Sequence, residues 1–189
     1  METAARCARI GNRILNSIVV LLIAVMFLYG GYSLWDTAMV YRGAFVSNDL
    51  LQFKPASAGE TDNPTLSELQ AINEDVRGWV TIDDTHIDYP VVQGETNMEY
   101  INKDVYGEFA LSGSIFLDSA NSPDFSDGYV LLYGHHMENG GMFGDIVEFT
   151  DETFFDAHTT GTLYAPGSTW SIELFACLEV DAYDSMVFN

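Results

Sequence analysis

The longest apolar run of the chain covers residues 14–35 and contains no charged residue. A helix needs about 20 predominantly apolar residues to cross the hydrocarbon core of a bilayer. This run is therefore predicted to be a transmembrane signal-anchor. A cleaved signal peptide is the alternative, but the run exceeds the roughly 7–15 apolar residues of such a peptide. Bulky Tyr32, Leu34 and Trp35 also stand where a cleavage site needs small residues.

Charges beside this run predict its orientation. Arg6, Arg9 and Arg13 precede it, and Lys and Arg are concentrated on the cytoplasmic side of membrane helices. Residues 1–13 are therefore predicted to be a cytoplasmic N-terminus. Everything from residue 36 onward is predicted to be extracellular, so that the chain crosses the cell membrane once.

Beyond the anchor, the spacing of apolar positions changes. Residues 36–64 are predicted to be a juxtamembrane segment and a linker, because 54–64 is rich in Pro, Gly, Ala, Ser and acidic residues. Thr65 and Glu68 have the spacing of a capping box at the start of a helix. Apolar residues then recur at helical intervals, which predicts a short helix that ends before Gly78.

Short runs of β-branched and aromatic residues follow and are bounded by turn residues. They predict strands over residues 79–82, 86–92, 113–117, 129–133, 161–165 and 169–180. Between them, helical spacing predicts two short helices, over residues 96–102 and 142–157. Many short strands with few peripheral helices are typical of a mainly β barrel or sandwich. The extracellular part is long enough for one core, and one domain is predicted.

The acidic excess of the chain belongs to this extracellular part. The whole chain has 28 acidic and 7 basic residues, and its formal net charge is -21. A protein that binds nucleic acid needs a basic surface to neutralise phosphates, so no nucleic-acid partner is predicted. A disordered acidic chain is poor in aromatic residues, whereas this one has 12 Phe, 10 Tyr and 3 Trp. The chain is therefore predicted to fold.

Two adjacent histidines, His135 and His136, are the main candidates for chemistry. They follow an apolar strand and precede a glycine-rich loop, YGHHMENGGMFG, and strand ends that open into loops commonly carry functional side chains. One of them could be a general acid/base, because imidazole titrates nearest neutral pH. The pair could instead bind a metal with Glu138, although glycines disfavour the helix that usual zinc motifs need. A structural histidine that bonds a loop is the third possibility.

The other polar candidates are predicted to be structural or solvated. His86 lies in an acidic turn, His158 lies near a helix end, and Asp118 follows a strand as turn and capping residues do. The acidic pairs Asp83-Asp84 and Asp151-Glu152 lack the ligand spacing of a calcium loop.

The two cysteines, Cys7 and Cys177, are predicted on opposite sides of the membrane, which excludes a disulfide between them. Cys177 lies in WSIELFACLEV, and a cysteine on such a strand is usually a small buried residue. A thiolate paired with His135 is the alternative. It is disfavoured because no glycine-rich turn or helix N-terminus is there to activate the thiol.

Several stretches in order resemble class B sortases, the membrane-anchored cysteine transpeptidases of Gram-positive bacteria. They are NEDVRGWVTIDDTHIDYPVVQGETNMEYI (73–101), GSIFLD (113–118), YVLLYGHHMENGGMF (129–143), DETFFDAHTTGTLYA and WSIELFACLEV. The N-terminal anchor agrees with the same family. The resemblance covers roughly residues 65–189 and implies a sortase-like β-barrel with short helices and a peptide groove, preceded by a transmembrane helix.

The resemblance also implies roles for particular residues. The histidine directly after Tyr-Gly is the family's general acid/base, which is His135 here, and His136 has no implied role. The family's nucleophile is a cysteine that ends a Thr-Leu-x-Thr-Cys strand, and an arginine follows later. Neither is present, since Leu-Phe-Ala precedes Cys177 and no Arg or Lys follows Lys103. The expectation is that residues 65–189 are a partial catalytic domain with an incomplete barrel, truncated before the catalytic Cys and Arg and inactive alone.

For the function, the resemblance implies cleavage of C-terminal sorting signals of the Asn-Pro-x-Thr type. The cleaved surface protein is then joined to the amine of a peptidoglycan precursor or a pilin. No cofactor and no metal are implied. The alternative is a noncatalytic, degenerate sortase-like surface module that binds peptide.

Overall fold

A computed structural model describes residues 2–56 and 63–181 of the chain, which divides into the units Met1–Met39 and Val40–Asn189. Most of helix α1 (Glu2–Arg42) lies in the first unit. Its stretch Arg9–Tyr41 is long and apolar enough to cross a membrane, and none of its most apolar window is buried. The helix is thus a candidate membrane span, as the apolar run predicts, but it extends beyond residues 14–35 at both ends.

Two short helices precede the sheet. Helix α2 (Asn48–Leu51) begins where the Ser47 side chain accepts a hydrogen bond from the Leu50 N–H at 3.3 Å. Helix α3 (Pro64–Ile72) begins at a proline, whose fixed φ suits the first helical turn. The predicted capping box is therefore wrong, because Pro64 starts the helix before Thr65. Most of the predicted linker, residues 57–62, lies outside the described residues.

Six strands form one sheet in the order β4-β3-β2-β1-β5-β6. Neighbouring strands are antiparallel except β2 and β3, which are parallel. The strands are β1 (Val76–Ile82), β2 (Asp88–Val92), β3 (Ile115–Leu117), β4 (Leu132–Tyr133), β5 (Thr160–Ala165) and β6 (Ser168–Glu173). The predicted mainly β class is confirmed, with β4 and β6 at the two edges of an open sheet.

Several predicted elements differ from the structure; the strand predicted over 129–133, for example, is only Leu132–Tyr133. Residues 97–102 form turns instead of a helix, and the carbonyls of Tyr100 and Ile101 in this segment contact the Ser114 N–H and the His135 ring. The helix predicted over 142–157 is a 3₁₀ helix (Gly144–Thr150) and then helix α4 (Glu152–Ala157). Asp151 interrupts them, since its backbone is extended and its carboxylate caps α4. The last predicted strand ends at Glu173 instead of residue 180.

The core lies on both faces of the sheet, because successive side chains of a strand point to opposite faces. Trp79 and Val92 pack on one face with helix α3, and Val80 and Val91 pack on the other. Trp79 is fully buried, and its indole N–H donates to a carboxylate oxygen of Asp88 at 2.7 Å. The Lys54 ammonium binds the other oxygen of this carboxylate at 2.6 Å.

The face that carries Val80 also has an apolar groove of about 360 Å³. The sheet, the 3₁₀ helix and the segment after β6 all contribute to its walls. Six of the lining residues are Val80, Leu132, Phe143, Ile146, Ile172 and Cys177.

Candidate active site

The predicted catalytic histidine lies just beyond the end of the edge strand β4. The chain leaves Tyr133, passes Gly134 and enters the loop that carries His135 and His136. The two rings lie in different surroundings, since His135 is half-buried and His136 is exposed. The two adjacent histidines are therefore not equivalent.

His135 is tied to the protein by its ring and by its main chain. Its Nε2 atom lies 2.9 Å from the carbonyl oxygen of Ile101. Its own carbonyl accepts a hydrogen bond from the Phe143 N–H at 3.0 Å, and an isolated bridge joins His136 to Met142. The loop therefore closes on itself as a short, irregular hairpin with the two histidines on its first arm.

The second arm of this hairpin is hydrogen-bonded to the side chain of Tyr89. The Tyr89 hydroxyl donates to the Ala44 carbonyl and accepts from the Met142 N–H, both at 2.8 Å. Burial raises the pKa of Tyr89 to about 12, so the hydroxyl remains a donor at physiological pH. Met142 is buried and has φ of 54°, a left-handed conformation that non-glycine residues keep only when their surroundings impose it.

The segment that contacts the His135 ring is fixed by Tyr100. Its hydroxyl donates to the Asp75 carboxylate at 2.8 Å and accepts from the Asn73 side-chain amide at 2.9 Å. The same amide reaches the Val105 carbonyl at 2.7 Å. Burial raises the pKa of Tyr100 to about 12. A partly buried network thus connects the start of β1 to the turn that carries the Ile101 carbonyl.

Asp118 directly follows β3 and connects this strand to its neighbour β4 through its carboxylate. Its carboxylate accepts hydrogen bonds from the Tyr133 hydroxyl at 2.8 Å, the Asn97 amide at 2.9 Å and the Ala120 N–H at 2.8 Å. Burial by itself would raise the pKa of Asp118, but these bonds outweigh it and hold the pKa below its usual range. The predicted turn role is confirmed by the bond to Ala120. The links to Tyr133 and Asn97 had no signal in the sequence, because only the folded sheet brings these residues together.

The remaining histidines make structural contacts. His86 is largely exposed, and its Nδ1 lies 3.0 Å from an Asp145 carboxylate oxygen. His158 contacts the Phe154 carbonyl at 2.7 Å and stacks on its ring. Within residues 2–56 and 63–181, no group of three or more His, Cys, Asp or Glu side chains is arranged to hold a metal ion.

The acidic pairs and Cys177 make contacts of their own. Asp83 accepts a hydrogen bond from the Thr160 hydroxyl at 2.6 Å. Both cysteines are free, as predicted. Cys177 is not on a strand as predicted, because β6 ends before it, and its Sγ contacts the Ile146 carbonyl at 3.7 Å.

No protein-family model matches the chain, but several solved sortase structures do. A Streptococcus pyogenes class B sortase involved in pilus biogenesis is 48% identical, with a TM-score of 0.62 over 65% of this chain and 68% of that one. A Staphylococcus aureus sortase B–substrate complex is 29% identical, with a TM-score of 0.64 over 68% of this chain and 59% of that one.

The curated relatives lead to the same family. Sortase B of Listeria monocytogenes is 40% identical over 114 residues, which are 60% of this chain and 46% of the relative. The chain thus spans about half the length of that protein. The mainly β sheet with its short helices matches the sortase fold, as the resemblance implied. The chain belongs to the class B sortases, a family of cysteine transpeptidases.

Proposed function

We propose that the chain acts as a membrane-anchored class B sortase with His135 as its general acid/base. The observation that carries this proposal is the placement of the ring. It follows Tyr133-Gly134 at the end of β4, is half-buried, and is held at 2.9 Å by a main-chain carbonyl. Imidazole is the side chain that gives and takes protons most readily near neutral pH.

The proposed reaction has two proton transfers at His135. A cysteine thiolate attacks the carbonyl carbon after the Thr of a sorting signal, and the departing amine takes a proton from the imidazolium. The resulting thioester is then attacked by the amine of a peptidoglycan precursor or a pilin, which gives a proton back to the imidazole. An arginine stabilises the negative charge on the carbonyl oxygen. The Staphylococcus aureus relative is known as a sortase B–substrate complex, which supports substrate binding by the same fold.

We infer that the nucleophile and the supporting arginine are not among these 189 residues. Cys7 lies on α1, and Cys177 lines the apolar groove with its Sγ against a carbonyl oxygen. No Arg or Lys follows Lys103 in the sequence. The chain therefore supplies the anchor and the proposed acid/base.

The chain as it stands is expected to show no transpeptidation. The purified chain in detergent is incubated with a fluorescent Asn-Pro-x-Thr peptide and an amine acceptor, and mass spectrometry is used to detect cleavage or a thioester. Neither should form, because no activated thiol is present. His135-dependent cleavage by this chain would contradict the inference that the nucleophile is not among these 189 residues. Peptide binding without turnover in a version supplied with the family's cysteine and arginine would favour the noncatalytic module.

We propose further that residues 14–35 span the cell membrane, with residues 1–13 in the cytoplasm and the sheet outside. The exposed apolar side chains of α1 support a membrane span, and the arginines before it support this orientation. The anchor would keep the enzyme where secreted proteins and cell-wall precursors meet.

The two cysteines allow this topology to be measured. In intact cells, a membrane-impermeant maleimide is expected to label the Cys7→Ser variant, which keeps Cys177, and to leave the Cys177→Ser variant unlabelled. Permeabilised cells serve as the control, and there Cys7 should become reactive because it is exposed. Labelling of Cys7 in intact cells would reverse the proposed orientation. A mature chain that has lost its apolar run would favour a cleaved signal peptide.

A further inference from the structure

The contact between His135 and Ile101 restricts which ring nitrogen can carry a proton. The two nitrogens of a neutral imidazole differ, one being a donor and the other an acceptor. The partner of Nε2 is a main-chain carbonyl oxygen at 2.9 Å, which can only accept. The hydrogen bond therefore requires a proton on Nε2, and the neutral ring then has its lone pair on Nδ1.

We infer that the Ile101 carbonyl fixes His135 as the Nε2–H tautomer and leaves Nδ1 as the nitrogen that exchanges protons during the reaction. This inference rests on the proposed function of His135. The Nε2–H donates to the carbonyl in both the neutral and the charged ring. The ring consequently keeps one orientation while the proton on Nδ1 comes and goes.

Gly113 sets the position of this carbonyl from one side. It has φ of 61°, and a Cβ built on it would collide with the Ile101 oxygen and lie 2.8 Å from the Tyr100 oxygen. The next residue, Ser114, donates its N–H to the Tyr100 carbonyl at 3.1 Å. Gly113 and Ser114, which precede β3, thus pack directly against the carbonyls of Tyr100 and Ile101.

Tyr100 sets the position of the carbonyl from the other side. It is buried, and its hydroxyl joins the Asp75 and Asn73 side chains. Since Ile101 is the next residue, a shift of Tyr100 moves the carbonyl that faces the His135 ring. Gly113 and Tyr100 are therefore positioning residues that act on the reaction through the Ile101 main chain.

Nitrogen-15 NMR of the histidine side chains tests this inference in the full chain in detergent micelles. Spectra are recorded at alkaline pH, where imidazole is neutral, and His135→Gln assigns the signals. We expect His135 to be the Nε2–H tautomer. Its Nε2–H should exchange with water roughly fivefold more slowly than that of exposed His136, the effect of one ordinary hydrogen bond on an equilibrium. An Nδ1–H tautomer, or exchange as fast as that of His136, would overturn the inference.

Gly113→Ala is expected to abolish this protection, because the added methyl group displaces the Ile101 oxygen. Gly107→Ala is the matched control, since Gly107 has φ of 81° in the same segment but open space around it. Both substitutions strain the backbone, and only one reaches the carbonyl. Tyr100→Phe removes the hydroxyl contacts and provides an independent test of the inference. If Gly113→Ala does not fold, the result for Tyr100→Phe decides the matter.

Loss of protection in either folded variant, with Gly107→Ala unchanged, supports the inference. Retention of protection in every folded variant that targets the carbonyl overturns it. The NMR signature is read in a chain without turnover, so it does not depend on catalysis. The role of His135 in the reaction is tested separately by kinetics, and either result can fail without the other.

Discussion

Replacement of His135 by Ala is expected to lower kcat/KM by about 10²–10⁴-fold, the range contributed by a positioned general acid/base. The measurement uses a version of the chain that carries the family's cysteine and arginine, with a fluorescent sorting peptide as substrate. The loss arises because the departing amine must then take its proton from water, and the incoming amine must give its proton to water. Most of the loss should appear in kcat.

His136→Ala is the matched control for this experiment. His136 is the next residue along the same loop arm, but it is exposed, while His135 is half-buried against the Ile101 carbonyl. Its replacement should leave kcat/KM nearly unchanged. Equal losses in the two variants would show that the acid/base role is not specific to His135. A larger loss for His136→Ala would assign the role to the exposed ring.

Trp79→Ala is expected to lower the free energy of unfolding by about 3–5 kcal/mol, as large-to-small substitutions of buried aromatic residues do. Trp79 is fully buried and belongs to the same core cluster as Leu66, Leu69 and Val92. Its loss opens a cavity and also removes the indole donor to Asp88. Denaturation followed by far-ultraviolet circular dichroism measures the change in the full chain in detergent.

Trp170→Ala provides the comparison within the same sheet. Trp170 lies on edge strand β6, is 37% exposed, and contacts the Phe125 ring edge-on at 5.9 Å. Its replacement removes less buried area and leaves no enclosed cavity, so a clearly smaller loss is expected. If both substitutions destabilise the protein equally, Trp79 is not the centre of the core.

Local patterns were sufficient to predict the fold class and the position of the candidate histidine. The apolar strand before Gly134 predicts that His135 lies at a strand end, and β4 does end at Tyr133. The sequence predicts that Gly78 lies between the end of a short helix and the first strand, and this is wrong. Gly78 lies inside β1, where a Cβ would collide with the Tyr164 carbonyl of β5. That close approach is a property of the assembled sheet, and no local pattern encodes it.

The surroundings of His135 were not predictable for the same reason. The Ile101 carbonyl and the Tyr89 hydroxyl are main-chain and long-range partners, and a sequence pattern identifies neither kind. In the predicted helix over 96–102, Ile101 would lie in the last turn, where carbonyls have no partner within the helix, and nothing in that pattern indicates His135 as the partner. The candidate site could be assigned from its histidine, whereas its supporting contacts required the structure.

The strand order determines when each strand can pair while the chain is being synthesised. Strand β1 pairs with β2 in a local hairpin, but its other partner, β5, follows only after the intervening segments that include β3 and β4. At about 5–20 residues translated per second, β1 waits roughly 4–16 s for that partner. Its free edge and the Trp79 side chain are exposed to other chains during this time. A holding chaperone that binds the emerging chain would therefore act on β1 before it could act on any later strand.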